Sequence, residues 1–444
     1  MKSRLLERIL VGLLLVVAGG VVVHAPLTVW LGTMWPAHEL IIKSWKELLM
    51  GLALIILFVI TVQQKKLDEF LSDRLIQLCL VYTGLHLVLI SLFNPSANGG
   101  LQAAEAGLLI DLRFILYFVL VYGTIKLYPR YRRLFITVFL SGAVVVIGFA
   151  ILQLLVLPKD ILTHIGYSST TIYPYLTVDG NSTFIRINST LRGPNPLGAY
   201  AVIVVGLLTA AAVRWKLGRR GWWLASGAAL ATGLVLGASY SRSSVIGAIA
   251  TIIVIIIISV TSKIRKQLLV SLGVVAIVVA LVVTMFRDTH LVKNIVLHDN
   301  PSTGTVIDSN AGHAMSLIDG TNRVLQQPFG AGVGSTGSAS LLGNEPLIIE
   351  NNYLLVAHET GWLGLLLFGW LFVEVLRRLW ERRKSALALG VFGSGIGLAI
   401  IGLLLPVWTD DTVSIVWWGL AAIAIAAPID GKKVRKKHDT RTSN

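Results

Sequence analysis

Arginines, a histidine and a carboxylate stand in a few polar stretches of an otherwise apolar chain. Arg186 and Arg192 lie in Arg186-Ile-Asn-Ser-Thr-Leu-Arg-Gly-Pro-Asn-Pro-Leu-Gly-Ala-Tyr200, and Arg242 in Ser239-Tyr-Ser-Arg-Ser-Ser244. His313 and Arg323 precede Gln327-Pro-Phe-Gly-Ala-Gly-Val-Gly-Ser-Thr-Gly337, and Glu350, Asn351 and Tyr353 fall in Ile349-Glu-Asn-Asn-Tyr-Leu354. A guanidinium stays charged and offers paired donors to phosphate oxygens, so Arg186, Arg192 and Arg242 suit a phosphate or diphosphate. A helix starting near Pro194, capped by Asn195, would add its positive end. Glu350 is the best placed general base for an incoming hydroxyl. Equally, Glu350, Asn351 and Asn352 would serve as ordinary helix caps.

Other constellations are missing or deceptive. Gly332-Val-Gly-Ser-Thr-Gly337 has the form G-x-G-x-x-G but lacks the strand before it and the helix after it that a dinucleotide site requires. Its glycines fit a turn, or close backbone approach to a glycan. No D-x-D, H-E-x-x-H or G-x-S-x-G occurs in the external segments, so no metal ligand or cofactor site is expected. Asn181-Ser-Thr and Asn188-Ser-Thr match glycosylation acceptors and are read as chance. One cysteine, Cys79, excludes a disulfide framework.

The elements that must position these residues are membrane helices. Of 444 residues, 55% are hydrophobic and 14% charged, against about 25% charged in soluble domains. The expected fold is all-α, a polytopic bundle with spans centred on 9–30, 48–62, 75–93, 106–125, 134–157, 195–213, 222–238, 245–261, 268–286, 361–376, 386–405 and 412–427, about 20 residues being needed to cross. With the N-terminus inside, most of the 38 Lys and Arg residues fall in cytoplasmic segments, and this alternation supports twelve spans with both ends inside. The net charge of +15 is thereby a topology signal, and no nucleic-acid partner is expected. The basic start of the chain resembles a signal peptide but reads better as an uncleaved first helix. The basic tail from Lys432 reads as a topology anchor.

Lys43, Lys46, Arg113, Lys159, Arg186, Arg192, Arg242, Arg287, Lys293 and Arg323 oppose that bias. Asp111 and Arg113 fall inside the fourth span, at about 2.5–3.5 kcal/mol each, and should face the bundle interior. The organisation expected is 1–157 for five helices, 158–286 for an outer loop and four helices with the Arg-rich motifs, 287–360 for a large outer loop, and 361–444 for the last three helices and tail. Long outer loops place function on the outer face, where cytoplasmic nucleotide donors are not at hand. A lipid-linked diphosphate would arrive there already activated.

In this order the segments resemble the O-antigen ligase and O-antigen polymerase superfamily, which includes teichuronic acid polymerases, best over 186–364. The resemblance rests on Arg186 through Pro194-Asn195, on Ser241-Arg242, on Pro328 to Gly334, on Glu350-Asn-Asn-Tyr-Leu354 and on Glu359 to Gly364. Two positions depart from it: Glu350 stands where the family has His, and His313 where it has a loop Arg. The resemblance implies a metal-independent inverting glycosyltransferase of the bacterial cytoplasmic membrane, acting without a cofactor on undecaprenyl-diphosphate-linked glycan. Membrane lipids surround it, and the acceptor is a glycan, lipid, wall polymer or protein. Arg186, Arg192 and Arg242 would hold the diphosphate, Glu350 would be the base with His313 taking over a phosphate contact, and Asn195, Asn351 and Tyr353 would orient. Alternatively, His313 and Glu350 pair and Arg323 serves the phosphate. Polymerase and ligase differ only in acceptor, and oligomeric state is left open. A secondary transporter or a non-catalytic glycan-binding scaffold are the competing readings.

Overall fold

The computed structural model describes residues 2–92, 100–178, 180–289, 292 and 309–426. The expected basic tail and Lys293 lie outside them. In chain order the helices are α1 (Lys2–Gly20), α2 (His24–Met34), α3 (Glu39–Lys43), α4 (Trp45–Gln63), α5 (Leu67–Leu71), α6 (Arg74–Leu92), α7 (Leu101–Leu127), α8 (Arg132–Leu155), α9 (Pro194–Arg214), α10 (Arg219–Ala238), α11 (Arg242–Ser259), α12 (Ser262–Met285), α13 (Ser309–Gln326), α14 (Gly337–Ser340), α15 (Asn352–Glu381), α16 (Ala386–Ile401) and α17 (Asp411–Ala426). Between α8 and α9 runs one antiparallel hairpin, β1 (Leu176–Val178) and β2 (Asn181–Arg186), the only sheet among the described residues of this helical molecule.

Apolar runs become helices because hydrocarbon offers no partner to the backbone, and a helix satisfies its own N–H and C=O groups. Among the described residues, nine helices are long and apolar enough to cross a membrane: Arg4–Met34, Trp45–Gln63, Arg74–Leu92, Leu101–Leu127, Pro129–Leu155, Pro194–Arg214, Arg219–Ala238, Arg242–Ser259 and Asn352–Glu381. The other three expected spans coincide with α12, α16 and α17. The last two have 16 residues each, about 24 Å of helix against a hydrocarbon core of about 30 Å. Lipid-side positions such as Leu48, Val144 and Ile277 are exposed, while Trp417, Trp418, Tyr117 and Phe118 fill the centre. Small residues bring helices together. A Cβ on Gly206 would lie 2.7 Å from the Gly390 carbonyl, and one on Gly390 2.9 Å from that of Gly206, which lets α9 and α16 pack backbone to backbone.

Two spans are broken. The first is interrupted at Val21–Val23 by a tight turn between α1 and α2. The tenth begins at Asn352, nine residues before the expected start at 361, and kinks at Gly361, whose φ of 70° is open to glycine without a Cβ penalty. The supposed loop 287–360 therefore contains α13, α14 and the first turns of α15.

Candidate functional site

The site is built at the end of the bundle where α9, α11, α15 and α17 begin. β2 ends on Arg186, whose Nε donates to the Ser239 carbonyl at 2.9 Å and whose terminal nitrogen donates to Asn195 Oδ1 at 2.6 Å. One guanidinium so ties the hairpin, the α10–α11 turn and the first turn of α9. Asn195 is thus not the cap of α9: Gly193 occupies that position and has no side chain to bond the first turn, while Pro194 fits the first helical position because it needs no N–H partner. The turn is tight, with Tyr240 at φ 48°, and Arg242 opens α11 directly after it. Behind Arg242 the hydroxyls of Ser241 and Ser244 lie 2.8 Å apart in a buried cluster. Arg192 is exposed one residue before Gly193, and its field reaches Asp410 and Tyr167. Burial beside Asp411 pushes the Asp410 carboxyl above its ordinary range, and Arg192 pulls it back.

Between Arg186 and Arg192 the chain dips inward. Asn188 Nδ2 donates to the Tyr173 carbonyl at 2.7 Å, the Ser189 hydroxyl to that of Val146 at 2.7 Å, and the Thr190 hydroxyl to that of Val22 at 2.6 Å. The last bond satisfies a carbonyl at the break between α1 and α2. Asn188 is buried, in keeping with its acceptor motif being chance.

The second group comes from α13 and the start of α15. His313 Nδ1 is hydrogen-bonded to Glu350 Oε2, and Glu350 N donates to the Ser316 hydroxyl at 3.2 Å. The two side chains are 33% and 35% exposed, so they are held together yet reachable. A carboxylate accepts, so Nδ1 carries hydrogen and leaves Nε2 of the neutral ring as a proton acceptor. Asn351 is the cap of α15, its Oδ1 accepting from Tyr353 N and Leu354 N at 2.9 and 3.0 Å while its Nδ2 donates to the Leu403 carbonyl at 2.8 Å. The Tyr353 hydroxyl donates to the Ala399 carbonyl at 2.8 Å. Both residues anchor the first turn of α15 to the end of α16 and so fix where Glu350 projects. Arg323 pairs with Asp319 at 2.8 Å on the exposed side of α13.

The segment 327–337 connects these groups to the bundle. At the Gly361 kink the backbone groups released from the helix are taken up by it: Trp362 N donates to the Pro328 carbonyl at 3.0 Å, Ala331 N to that of His358 at 2.6 Å, and Gly332 N to that of Glu359 at 3.2 Å. A Cβ on Gly107 would lie 2.5 Å from the Gly334 backbone, so the loop also rests against α7. The glycines therefore serve close approach to protein backbone.

A buried ionic group was not foreseen in the sequence. Lys46, 2% exposed, places Nζ 3.2 Å from Asp411 Oδ2 and 3.3 Å from Glu47 Oε1. Trp45 Nε1 donates to His24 Nδ1 at 2.9 Å, so the ring hydrogen sits on Nε2 and points to Asp411 Oδ2 at 2.9 Å. Arg113 donates to the Thr409 carbonyl and stands 3.8 and 3.9 Å from Glu47 and Asp411. Lys46 and Arg113, which oppose the charge bias expected from the sequence, were the signal.

No protein-family model matches the chain, and no curated protein matches it.

Proposed function

We propose that the chain is a glycosyltransferase of the O-antigen ligase and polymerase type, moving a polyprenyl-diphosphate-linked glycan on the outer face of the bacterial cytoplasmic membrane. Twelve crossings with both termini inside belong to this reading. The observation that carries it is the His313–Glu350 pair, a half-exposed acid–base dyad at the same bundle end as Arg186, Arg192 and Arg242. In the reaction the acceptor oxygen attacks the anomeric carbon from the face opposite the diphosphate. The new C–O bond forms as the bond to the phosphate oxygen breaks, with inversion. Glu350 holds the imidazole, and His313 Nε2 takes the acceptor proton, the role that the motif alone gives to Glu350. Arg192 and Arg242 meet the charge that grows on the departing polyprenyl diphosphate, an electrostatic contribution that often dominates such steps. Arg186 binds there while holding the hairpin. Purified protein in lipid, given an undecaprenyl-diphosphate-linked oligosaccharide, is expected to release the lipid diphosphate in a His313-dependent manner. Longer glycan on the lipid identifies a polymerase, and transfer to an added acceptor a ligase. Folded protein that binds the donor and releases nothing with any acceptor refutes the reading.

A secondary transporter is the second reading, favoured by the kink of α15 inside the bundle together with the buried His24, Lys46, Asp411 group, since broken helices and ionisable side chains mark many transport sites. Uptake of a glycan-free solute driven by an ion gradient would establish it.

A further inference from the structure

One helix outside the spans, α13, is packed on one side and apolar on the other. At about 100° per residue, His313, Ser316, Gly320 and Val324 share a side. That side meets the start of α15: Glu350 N donates to the Ser316 hydroxyl at 3.2 Å, a Cβ on Gly320 would lie 3.3 Å from Ile349 and Leu354, and Val324 is buried. The other side carries Met315, Leu317, Ile318 and Leu325, exposed to between 43% and 70%. Thr321 stands among them, but its hydroxyl is turned back onto the Leu317 carbonyl at 2.7 Å, so its polar atom is satisfied within the helix. Asn322 is the other polar residue of this side, and the Asp319–Arg323 ion pair runs along its edge.

From α13 the chain runs onto the outward-facing wall of the bundle. The helix ends at Gln326, and Phe329 follows with 81% of its surface exposed and its backbone against the kink of α15, where a Cβ on Gly361 would lie 2.9 Å from Phe329 Cα. A crossing takes about 20 residues, and that number counted back along α15 from Arg378, whose pair with Asp73 closes the opposite end of the bundle, reaches His358. Gly361, with Phe329 beside it, therefore stands just inside the apolar layer. Directly after the kink Trp362, Leu363 and Leu366 are exposed on a helix that is long and apolar enough to cross a membrane. Tryptophan collects at the boundary between hydrocarbon and headgroups, and Trp362 falls at that height. Phe329 so joins two apolar surfaces, that of α15 in space and that of α13 along the chain.

We propose that α13 is seated in the bilayer, with Met315, Leu317, Ile318, Leu325 and Phe329 among the lipids of the leaflet at this end of the bundle. Exposed apolar surface of this kind marks a protein or membrane contact, and the surface that adjoins it here already faces lipid. A helix with one apolar side and polar edges lies in this way at the headgroup boundary, its charged residues reaching outward. The seat bears on the dyad. His313 stands on the opposite side of the same helix, so the depth of α13 in the leaflet sets the height of His313 and Glu350 above the apolar layer. At that height the charged group of a lipid-linked substrate arrives. The consequence for glycan transfer rests on the function proposed above, but the seat does not.

A spin label reads the seat without any activity assay. In the full-length protein with Cys79→Ala, reconstituted in phospholipid bilayers, Ile318→Cys, Leu325→Cys and Phe329→Cys each carry a nitroxide. All three positions are exposed, so the label displaces no packed side chain. Power saturation of the electron paramagnetic resonance signal compares access of oxygen, which concentrates in hydrocarbon, with access of a water-soluble nickel chelate. Leu366→Cys on the outward face of α15 is the lipid reference, and Ser182→Cys, exposed on β2, is the water reference. The ratio of oxygen to chelate access at Ile318→Cys, Leu325→Cys and Phe329→Cys is expected to exceed that of Ser182→Cys severalfold and to approach that of Leu366→Cys. Asp319→Cys, next to Ile318 but on the polar edge, is expected to give a lower ratio than Ile318→Cys. A ratio at Ile318→Cys and Leu325→Cys equal to that of Ser182→Cys places α13 in water and overturns the seat. Poor access of both agents there means that a second copy or another segment covers the helix, and overturns it equally. Lipid-facing labels in a protein that transfers no glycan uphold the seat and overturn only the function.

Discussion

Replacing His313 and Glu350 separately and together separates a working dyad from two independent groups. Both side chains are about one-third exposed, so their hydrogen bond is screened by solvent and its loss should cost no more than about 1 kcal/mol of stability. General-base catalysis contributes about 10²–10⁴ in rate, which is roughly 3–5 kcal/mol of barrier. Activity should therefore fall far more than stability. His313→Ala is expected to lower the transfer rate by about a thousandfold while shifting thermal unfolding in detergent little. Glu350→Gln keeps an acceptor for Nδ1–H but removes the charge, so its loss should be smaller, about ten- to a hundredfold. Groups that act as a unit are non-additive, and the double variant should resemble His313→Ala alone. The assay is initial-rate release of lipid diphosphate at saturating donor. Losses that multiply would refute the dyad. A Glu350→Gln loss exceeding that of His313→Ala would return the base to Glu350.

Three further outcomes test the scaffold. Asp73, outside the spans, is opposed by burial, yet bonds from Arg378 at 2.6 Å and from the Tyr122 hydroxyl at 2.5 Å hold its carboxyl far below the usual range. Asp73→Ala should cost about 3–5 kcal/mol, read as a lowered melting temperature in detergent, and the wild type should lose the same contribution in acid, as pH falls from the ordinary carboxylate range through the depressed one. Arg186→Lys removes a fork that bonds in two directions, and about 1–3 kcal/mol of stability should go with it, with protease cutting the 176–186 hairpin faster. Gly334→Ala places a methyl group against the Ala103 backbone at a φ of 80° and should destabilise by more than about 1 kcal/mol, whereas Gly148→Ala, in open space on α8, should be neutral or gain up to about 1 kcal/mol in the same melting assay.

The helices were legible because hydrocarbon demands long apolar runs, and each expected span coincides with a helix within several residues. The start of α15 was legible as a cap at Glu350-Asn-Asn352, which Asn351 fulfils, but the span itself was begun only at 361. The turns before 361 are helical because Asn351 caps them and the glycine loop satisfies the broken middle of α15. Arg186 and Asn195 were read in one motif, with Asn195 as a cap, but their mutual bond depends on a hairpin that no apolar pattern signals. Asp410 precedes α17 and its Oδ1 accepts from Val413 N at 2.9 Å, while Asp411 joins Lys46 and His24 from remote segments, a pairing without any local signature.

The two ends of the bundle spend their charges differently, and that difference bears on where a substrate can act. At the end where α15 finishes, Asp73 and Glu374 are covered by Arg377 and Arg378 in ion pairs of 2.6 to 2.9 Å, an arrangement that closes the bundle. At the other end, α1 and α15 are broken, the freed backbone is satisfied by segments 188–190 and 327–337, and His313, Glu350 and Arg192 remain within reach of solvent. Irregular backbone at membrane depth is tolerated where protein or a water-filled cavity covers it, so an end built this way can accept a charged headgroup without exposing polar groups to lipid. A polyprenyl diphosphate needs that combination, with its chain among exposed apolar helix faces and its phosphates among arginines at a polar rim. The same geometry explains why the acid–base dyad stands on α13 and the cap of α15 and not within a span. Under the proposed function it meets an acceptor arriving from water and a donor arriving from the bilayer.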